Sequence, residues 1–324
     1  ATGSTTNLIL NGIGEGTVTG VVGNGGAGGK VGISKGGAGN WTLTNANTLT
    51  GGITANNGNL ILDHAVEMAV VPASGPIALG GGTLVVKGRG TGTTATSLGA
   101  LSLTSTKGAS TLVVDNNGGG GTTLGLPHSG TRNSGSNLLI DLSSGAAIVS
   151  SPTLTNSVIT GASGSAAGFL IKDSTGKVDY ASRDAGNRIV RLETVTGAAV
   201  TPYDGTALAV TTKNYKVSAD TTLASGANTF GTLRIDASAN PVTVAMGATD
   251  LLLGKSVMIV DGSNEVTLTS TSGKLAQGGL IVANYNTATT TIGARIGGTT
   301  GTTAASYMGS GVTVLDFDNS GQGG

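Results

Sequence analysis

The chain has 324 residues, and its 17 basic and 17 acidic side chains cancel to a formal net charge of zero. Only 10% of its residues are charged, and it contains no cysteine. Zero net charge without a basic stripe argues against a nucleic-acid partner, which depends on neutralised phosphates. The missing cysteines remove disulfides, thiolate catalysis and zinc–thiolate sites. No apolar run approaches the roughly 18 residues of a membrane span.

Gly fills 58 positions and Thr 49, together about a third of the chain. Both are poor helix formers. The one helix candidate is 63–71, closed by Pro72. Short apolar or Thr-rich runs predict strands at 7–10, 17–22, 40–44, 59–62, 83–87, 111–115 and 137–142. The rhythm continues at 188–196, 232–236, 256–261, 265–269, 280–283 and 312–317. Clusters of Gly, Asn and Ser bound each run. Leu43, Leu62, Leu84, Leu103, Leu124 and Leu142 close strand-like runs at a nearly even spacing. A period of about 20 residues signals a solenoid. The expected fold is all-β: one parallel β-helix (β-solenoid) domain over 1–324, with roughly 20 residues per coil and about 15 coils. Val, Leu, Ile and Ala would point inward, Thr, Ser and Asn outward. Gly and Asn would take the corners, where positive φ is needed.

The segment 37–54 reads Gly-Ala-Gly-Asn-Trp-Thr-Leu-Thr-Asn-Ala-Asn-Thr-Leu-Thr-Gly-Gly-Ile-Thr. With Asn57-Gly58-Asn59-Leu60 behind it, it resembles the autotransporter-associated β-strand repeat of bacterial surface and secreted proteins. The match runs from Ile33 to Leu62, with weaker similarity at 79–84, 203–205 and 284–288. Asn45 stands where that repeat usually has Gly, and Leu49 where it has an aromatic residue. The resemblance implies a right-handed parallel β-helix exported to the cell surface or beyond, and supplies no activity by itself. The chain opens at Ala1-Thr2-Gly3-Ser4 with no leader pattern, as expected after signal-peptide removal. It shows no C-terminal membrane barrel pattern.

Catalytic patterns are weak. Residues 23–28 satisfy G-x-G-x-x-G, but no helix follows to receive a phosphate. Gly32-Ile33-Ser34-Lys35-Gly36 satisfies G-x-S-x-G and also lacks the helix of a nucleophile elbow. Gly254-Lys255-Ser256 resembles the end of a P-loop, with Thr249 where its first Gly should stand. His64 and His128 lie in no triad pattern: His128 reads as a loop residue and His64 as the cover of a coil edge. Nine of the 34 charges fall between Lys172 and Glu193. There Asp179 and Asp184, with Arg183 and Arg188, would make a lyase- or glycosidase-like cluster. A solvated loop insertion or subunit contact of mixed charge is the preferred reading. Only Phe169, Tyr180 and Tyr203 lie near it as aromatic platforms. No catalytic, cofactor or metal residue is assigned. The one candidate cation site is calcium at Asp316, Asp318 and Ser320, to be completed by a neighbouring subunit.

A solenoid's two ends present unpaired backbone groups that recruit strands unless capped. The run 7–10 is apolar and uncharged, and 312–315 equally so. Leu8, Ile9, Leu10, Val312, Val314 and Leu315 are the expected self-assembly edges. The expected partner is a second copy joined head to tail in an extracellular filament, by end stacking or a donated strand. Two alternatives differ in class: a monomeric adhesin-like rod binding extracellular glycans or matrix, and a polysaccharide lyase or hydrolase.

Overall fold

The structure, a computed structural model, describes residues 4–26, 28–65, 70, 75–103, 108–126, 133, 136–150, 154–155, 157–160, 168–254, 257–275, 280–297 and 305–317. It is a β-solenoid of about 11 turns, about 24 residues apart. Among the described residues the only helical turn is the 3-10 turn Leu192–Thr194. Of the helix candidate 63–71, Asp63 ends a strand and His64–Ala65 form a turn, while 66–69 and 71 lie outside the described residues.

Contacts divide the chain into two compact units. The first is Ala1–Gly164 with Phe169–Arg191, the second Ser165–Gly168 with Leu192–Gly324. In the first, five parallel strands stack in the order Thr5–Leu10, Lys30–Lys35, Gly52–Ala55, Ile77–Leu79 and Leu101–Leu103. A second sheet stacks Gly16–Val18, Asn40–Leu43, Asn59–Asp63, Thr83–Lys87, Gly108–Asp115, Ser136–Asp141 and Leu170–Lys172, also parallel. It then turns back on itself: Val178–Arg183 and Ile189–Arg191 add antiparallel. A third sheet holds Thr93–Ser97, Gly121–Gly125 and Ala147–Val149.

The second unit repeats the plan. One sheet stacks Val200–Pro202, Asn214–Val217, Thr232–Ala237, Val257–Gly262, Leu280–Asn284 and Ala305–Met308. The other stacks Thr221–Thr222, Val242–Ala245, Val266–Leu275, Thr290–Ile296 and Thr313–Leu315. Asn228–Phe230 and Leu251–Leu253 extend it through the far half of Val266–Leu275. Each unit has its own buried core.

Strand alternation sends every second side chain inward, so inward residues of successive turns line up in columns. One column runs Val18, Leu43, Leu62, Val86 and Val114. Its steps are unequal, shortest from Leu43 to Leu62 and longest from Val86 to Val114. This corrects the even, shorter period expected from the leucines, and the longer mean step leaves fewer turns than expected. Leu43 and Leu62 belong to this column and Leu142 follows it, next to the paired Asp141. Leu84 lies in the adjacent column with Leu60 and Leu112. Leu103 lies in the five-stranded sheet and Leu124 in the three-stranded one. The leucine series therefore mixes residues of three sheets. Fully burying each column member contributes about 1.5–3 kcal/mol.

Glycine is required where turns approach closely. Gly37 has φ +65°, and a Cβ there would lie 2.5 Å from the Gly12 carbonyl. Gly16 serves packing instead: a Cβ would fall 2.6 Å from the Trp41 ring, which fills the space left in the first turn.

Candidate functional site

The charged segment does not bring its carboxylates together. Asp179 is buried near the start of Val178–Arg183, opposite Ile171. Asp184 follows that strand and shapes a tight turn, accepting from the backbone N–H groups of Gly186 (2.9 Å) and Arg188 (2.8 Å). Five steps along a nearly extended chain put the two roughly 16 Å apart. Paired glycosidase carboxylates need about 5–9.5 Å. Arg188 pairs with Asp184, Arg191 with Asp173, and Lys172 with Asp141. These charges lie along the antiparallel end of the sheet.

The other motifs resolve as scaffold. Ser34 lies within a strand, flanked by Ile33 and Lys35, both inside the core. The Lys35 ammonium donates to the carbonyls of Gly36, Gly37 and Asn57, knotting two corners together. Burial lowers its pKa. In the glycine loop, Asn24 Oδ1 accepts from Val31 N–H (3.0 Å) and Thr50 N–H (3.1 Å). His64 is fully buried rather than an edge cover. Its Nδ1 lies 3.2 Å from the Lys87 carbonyl, and its Nε2 has no hydrogen-bond partner among the described residues. Burial lowers its pKa, outweighing the opposing pull of the Lys87 and Leu62 backbone and of Asp63. Residues 127–130, with His128, and 255–256 lie outside the described residues. So do Asp318 and Ser320; Asp316 itself is exposed. Among the described residues no group of three or more His, Cys, Asp or Glu could hold a metal, and no helix is long and apolar enough to cross a membrane.

One charged network escaped sequence reading. Arg234 sends Nη1 to Glu193 (2.8 Å) and Nη2 to Asp261 (2.9 Å). Lys216 bridges Glu193 (3.2 Å) and Asp236 (2.6 Å). Burial alone would raise Asp236, but hydrogen bonds from Lys216 and Ser238 and the Arg234 charge hold its pKa at about 2. Asp236 and Asp261 are register partners on neighbouring strands, so their cations hold like charges side by side.

The sites that remain are the first and last turns. A column in the five-stranded sheet runs Leu8, Ile33, Ile53, Ile77 and Leu101. Leu101, at its far end, is 8% exposed, and Leu8, at its near end, 37%. In the second unit Val244, Leu268, Ile292 and Leu315 form a column. Its first three members are sealed, while Leu315 is 48% exposed. In the neighbouring sheet Leu233, Met258 and Val282 are sealed and Tyr307, next in line, is 41% exposed. These side chains point inward, so their exposure comes from the open end of the stack. Of the residues expected at the edges, Leu8, Ile9, Val312, Val314 and Leu315 are exposed. Leu10 is buried against Lys35 and offers no surface. Tyr307 was missed, because its column is not one apolar run in sequence.

Both end turns are pinned from the turn behind. Asn284 Nδ2 donates to the Val312 carbonyl (3.1 Å) and to Thr313 Oγ1 (2.9 Å). Gly309, at φ +104°, brings the last turn against the Asn284 carbonyl, where a side chain would not fit. The result is a depression of about 310 Å³ lined by Tyr307, Met308, Gly309, Gly311, Thr313 and Leu315. At the first turn Trp41 Nε1 donates to the Asn11 carbonyl (3.2 Å). Comparison of the chain with protein-family models, curated proteins and solved structures found no match.

Proposed function

We propose that this chain is a non-enzymatic structural subunit whose copies join head to tail into an extracellular filament or surface fibre. One contrast carries the reading. The sheet ends at Ile189–Arg191 and Val200–Pro202 carry the devices that stop strand addition: antiparallel reversal, charge and proline. Thr5–Leu10 and Thr313–Leu315 carry none of these, and their columns end in exposed apolar side chains. The resemblance of 33–62 to a repeat of exported bacterial proteins supports a place outside the cell.

The test is negative-stain electron microscopy of the purified chain, before and after refolding from denaturant. Uniform fibres are expected, and Leu315→Lys should abolish them by placing a charge at the open end. Discrete particles at all concentrations would overturn the proposal and favour the monomeric adhesin. Turnover of a polysaccharide lost on changing Asp179 or Asp184 would favour the enzyme.

A further inference from the structure

Accepting the head-to-tail reading, we infer how the copies join: Leu8 of one copy stacks on Tyr307 of the next, and Val18 stacks on Leu315. The turn then continues across the joint as if the chain were unbroken.

Strand order is the first support. The first and last turns each visit one sheet and then the other, and the last turn ends with Ala305–Met308 followed by Thr313–Leu315. The first turn begins with Thr5–Leu10 followed by Gly16–Val18. Laid on the last turn, these strands preserve the alternation without a crossing.

Pitch is the second. Column members in the two sheets of one turn stand ten residues apart at Leu8 and Val18, and at Ile33 and Leu43. The same ten-residue step recurs at Met258 and Leu268, and at Val282 and Ile292. The step is nine at Ile53 and Leu62 and at Ile77 and Val86, and eleven at Leu233 and Val244, so these turns of the two units fall in one narrow range. Tyr307 and Leu315, eight apart, differ only by a shorter corner.

Hydrogen-bond phase is the third, and it is the most selective. In a parallel ladder a residue's N–H and C=O point to the same neighbour, and the next residue's point to the other. In the parallel stacks, inward residues bond to the following turn. The carbonyl of Leu10 accepts from Gly36, that of Val18 from Thr44, that of Val260 from Tyr285 and that of Ile292 from Asp316. Leu315 continues the Ile292 column, so its N–H and C=O face the open edge. On the first turn Thr17, beside Val18, directs its groups backward, as do Asn7 and Ile9 beside Leu8. Val18 over Leu315 therefore meets donor with acceptor. A slip by one residue would oppose groups that point away and would turn each column inside out.

Because the chain has no cysteine, single substitutions map the joint on a clean background. In the inferred register Thr17 faces Val314, and both are exposed. Neighbouring strands are about 4.8 Å apart, within disulfide reach. Thr17→Cys and Val314→Cys variants are mixed, assembled and oxidised, while fibre formation is followed separately by sedimentation and microscopy. The expected product is the mixed Thr17–Val314 disulfide. Fibres joined instead through Asn7→Cys and Val314→Cys, or through Thr17→Cys alone, would overturn this joint and leave the filament reading standing. Fibres without any of these disulfides would also overturn it. Absence of fibres, for the unsubstituted chain too, would overturn both.

Discussion

His64 shows how much one residue's surroundings can decide. Its sequence context, Leu-Asp-His-Ala, carries no sign of burial, yet the ring is sealed beside the Asp63–Lys87 ion pair with one nitrogen unmatched. Among the described residues nothing packed against it offers Nε2 an acceptor, and its Nδ1–H already serves the Lys87 carbonyl. Burial therefore holds its pKa below the ordinary value of 6.5. The unfolded chain then binds the proton first as pH falls. Stability is full above about pH 6.5 and declines below it until the folded-state pKa is passed. The thermal midpoint of the unassembled chain should fall between pH 7 and 5, and His64→Gln should flatten that slope. Equal slopes in the two proteins would remove His64 as the cause. Lys35 shows the opposite solution: it is equally buried but finds three carbonyls, so its charge is satisfied.

At the level of elements, ordinary sequence rules found the longer strands. Thr83–Lys87 alternates inward Leu84 and Val86 with outward Thr83, Val85 and Lys87, a plain period of two. They missed Gly52–Ala55, Ile77–Leu79 and Leu101–Leu103. Those strands span three or four residues and merge into Gly- and Ser-rich corners. With most of the five-stranded sheet of the first unit unseen, the unequal steps between stacked strands there could not be told from an even repeat. The Arg234 network stayed hidden for a different reason: most of its members lie on runs read as strands, but they become neighbours only when those strands are stacked in register. The two lysine and arginine cations there hold three carboxylates, two of them register partners. Arg234→Met should therefore cost about 2 kcal/mol at pH 7, the carboxylates being partly solvated. The sign with pH follows from Asp236, whose pKa lies at about 2 against 3.8. Its contribution is present above about pH 4 and is lost as pH falls toward 2. Arg234→Met should weaken that acid-side loss. Guanidinium titrations of both proteins at pH 7 and pH 3 check this, and an unchanged difference between the two pH values would contradict it.

For the whole molecule, each unit carries its own core, its own titrating groups and its own optical probe. Solenoid stability is a sum of turns and their neighbour contacts, so a change in one stack acts mainly on that stack. The single tryptophan, Trp41, packs against the first core, and His64 lies in the same unit. The second core opens with Tyr203, Tyr215 and Phe230, packed edge to face with ring centroids 4.9–5.6 Å apart. Rigid T-shaped rings of this kind give a near-UV circular dichroism signal that vanishes on unfolding. The Asp236 network lies in the same unit. Between pH 7 and 5 the Trp41 fluorescence transition should move to lower temperature, while the part of the aromatic dichroism change that comes from Tyr203, Tyr215 and Phe230, read as the difference between the protein and its Phe230→Leu variant, stays in place. Below pH 4 the dichroism transition should follow. Melts that superimpose at every pH would show one cooperative block, and the two-core description would have to be abandoned. Assembly adds a further signature. The joint covers the turn that Trp41 fills from below, so fibre formation should shift its emission to the blue and raise the fluorescence midpoint. A mixture blocked by Leu315→Lys should show neither change, because the open end that receives the first turn would carry a charge.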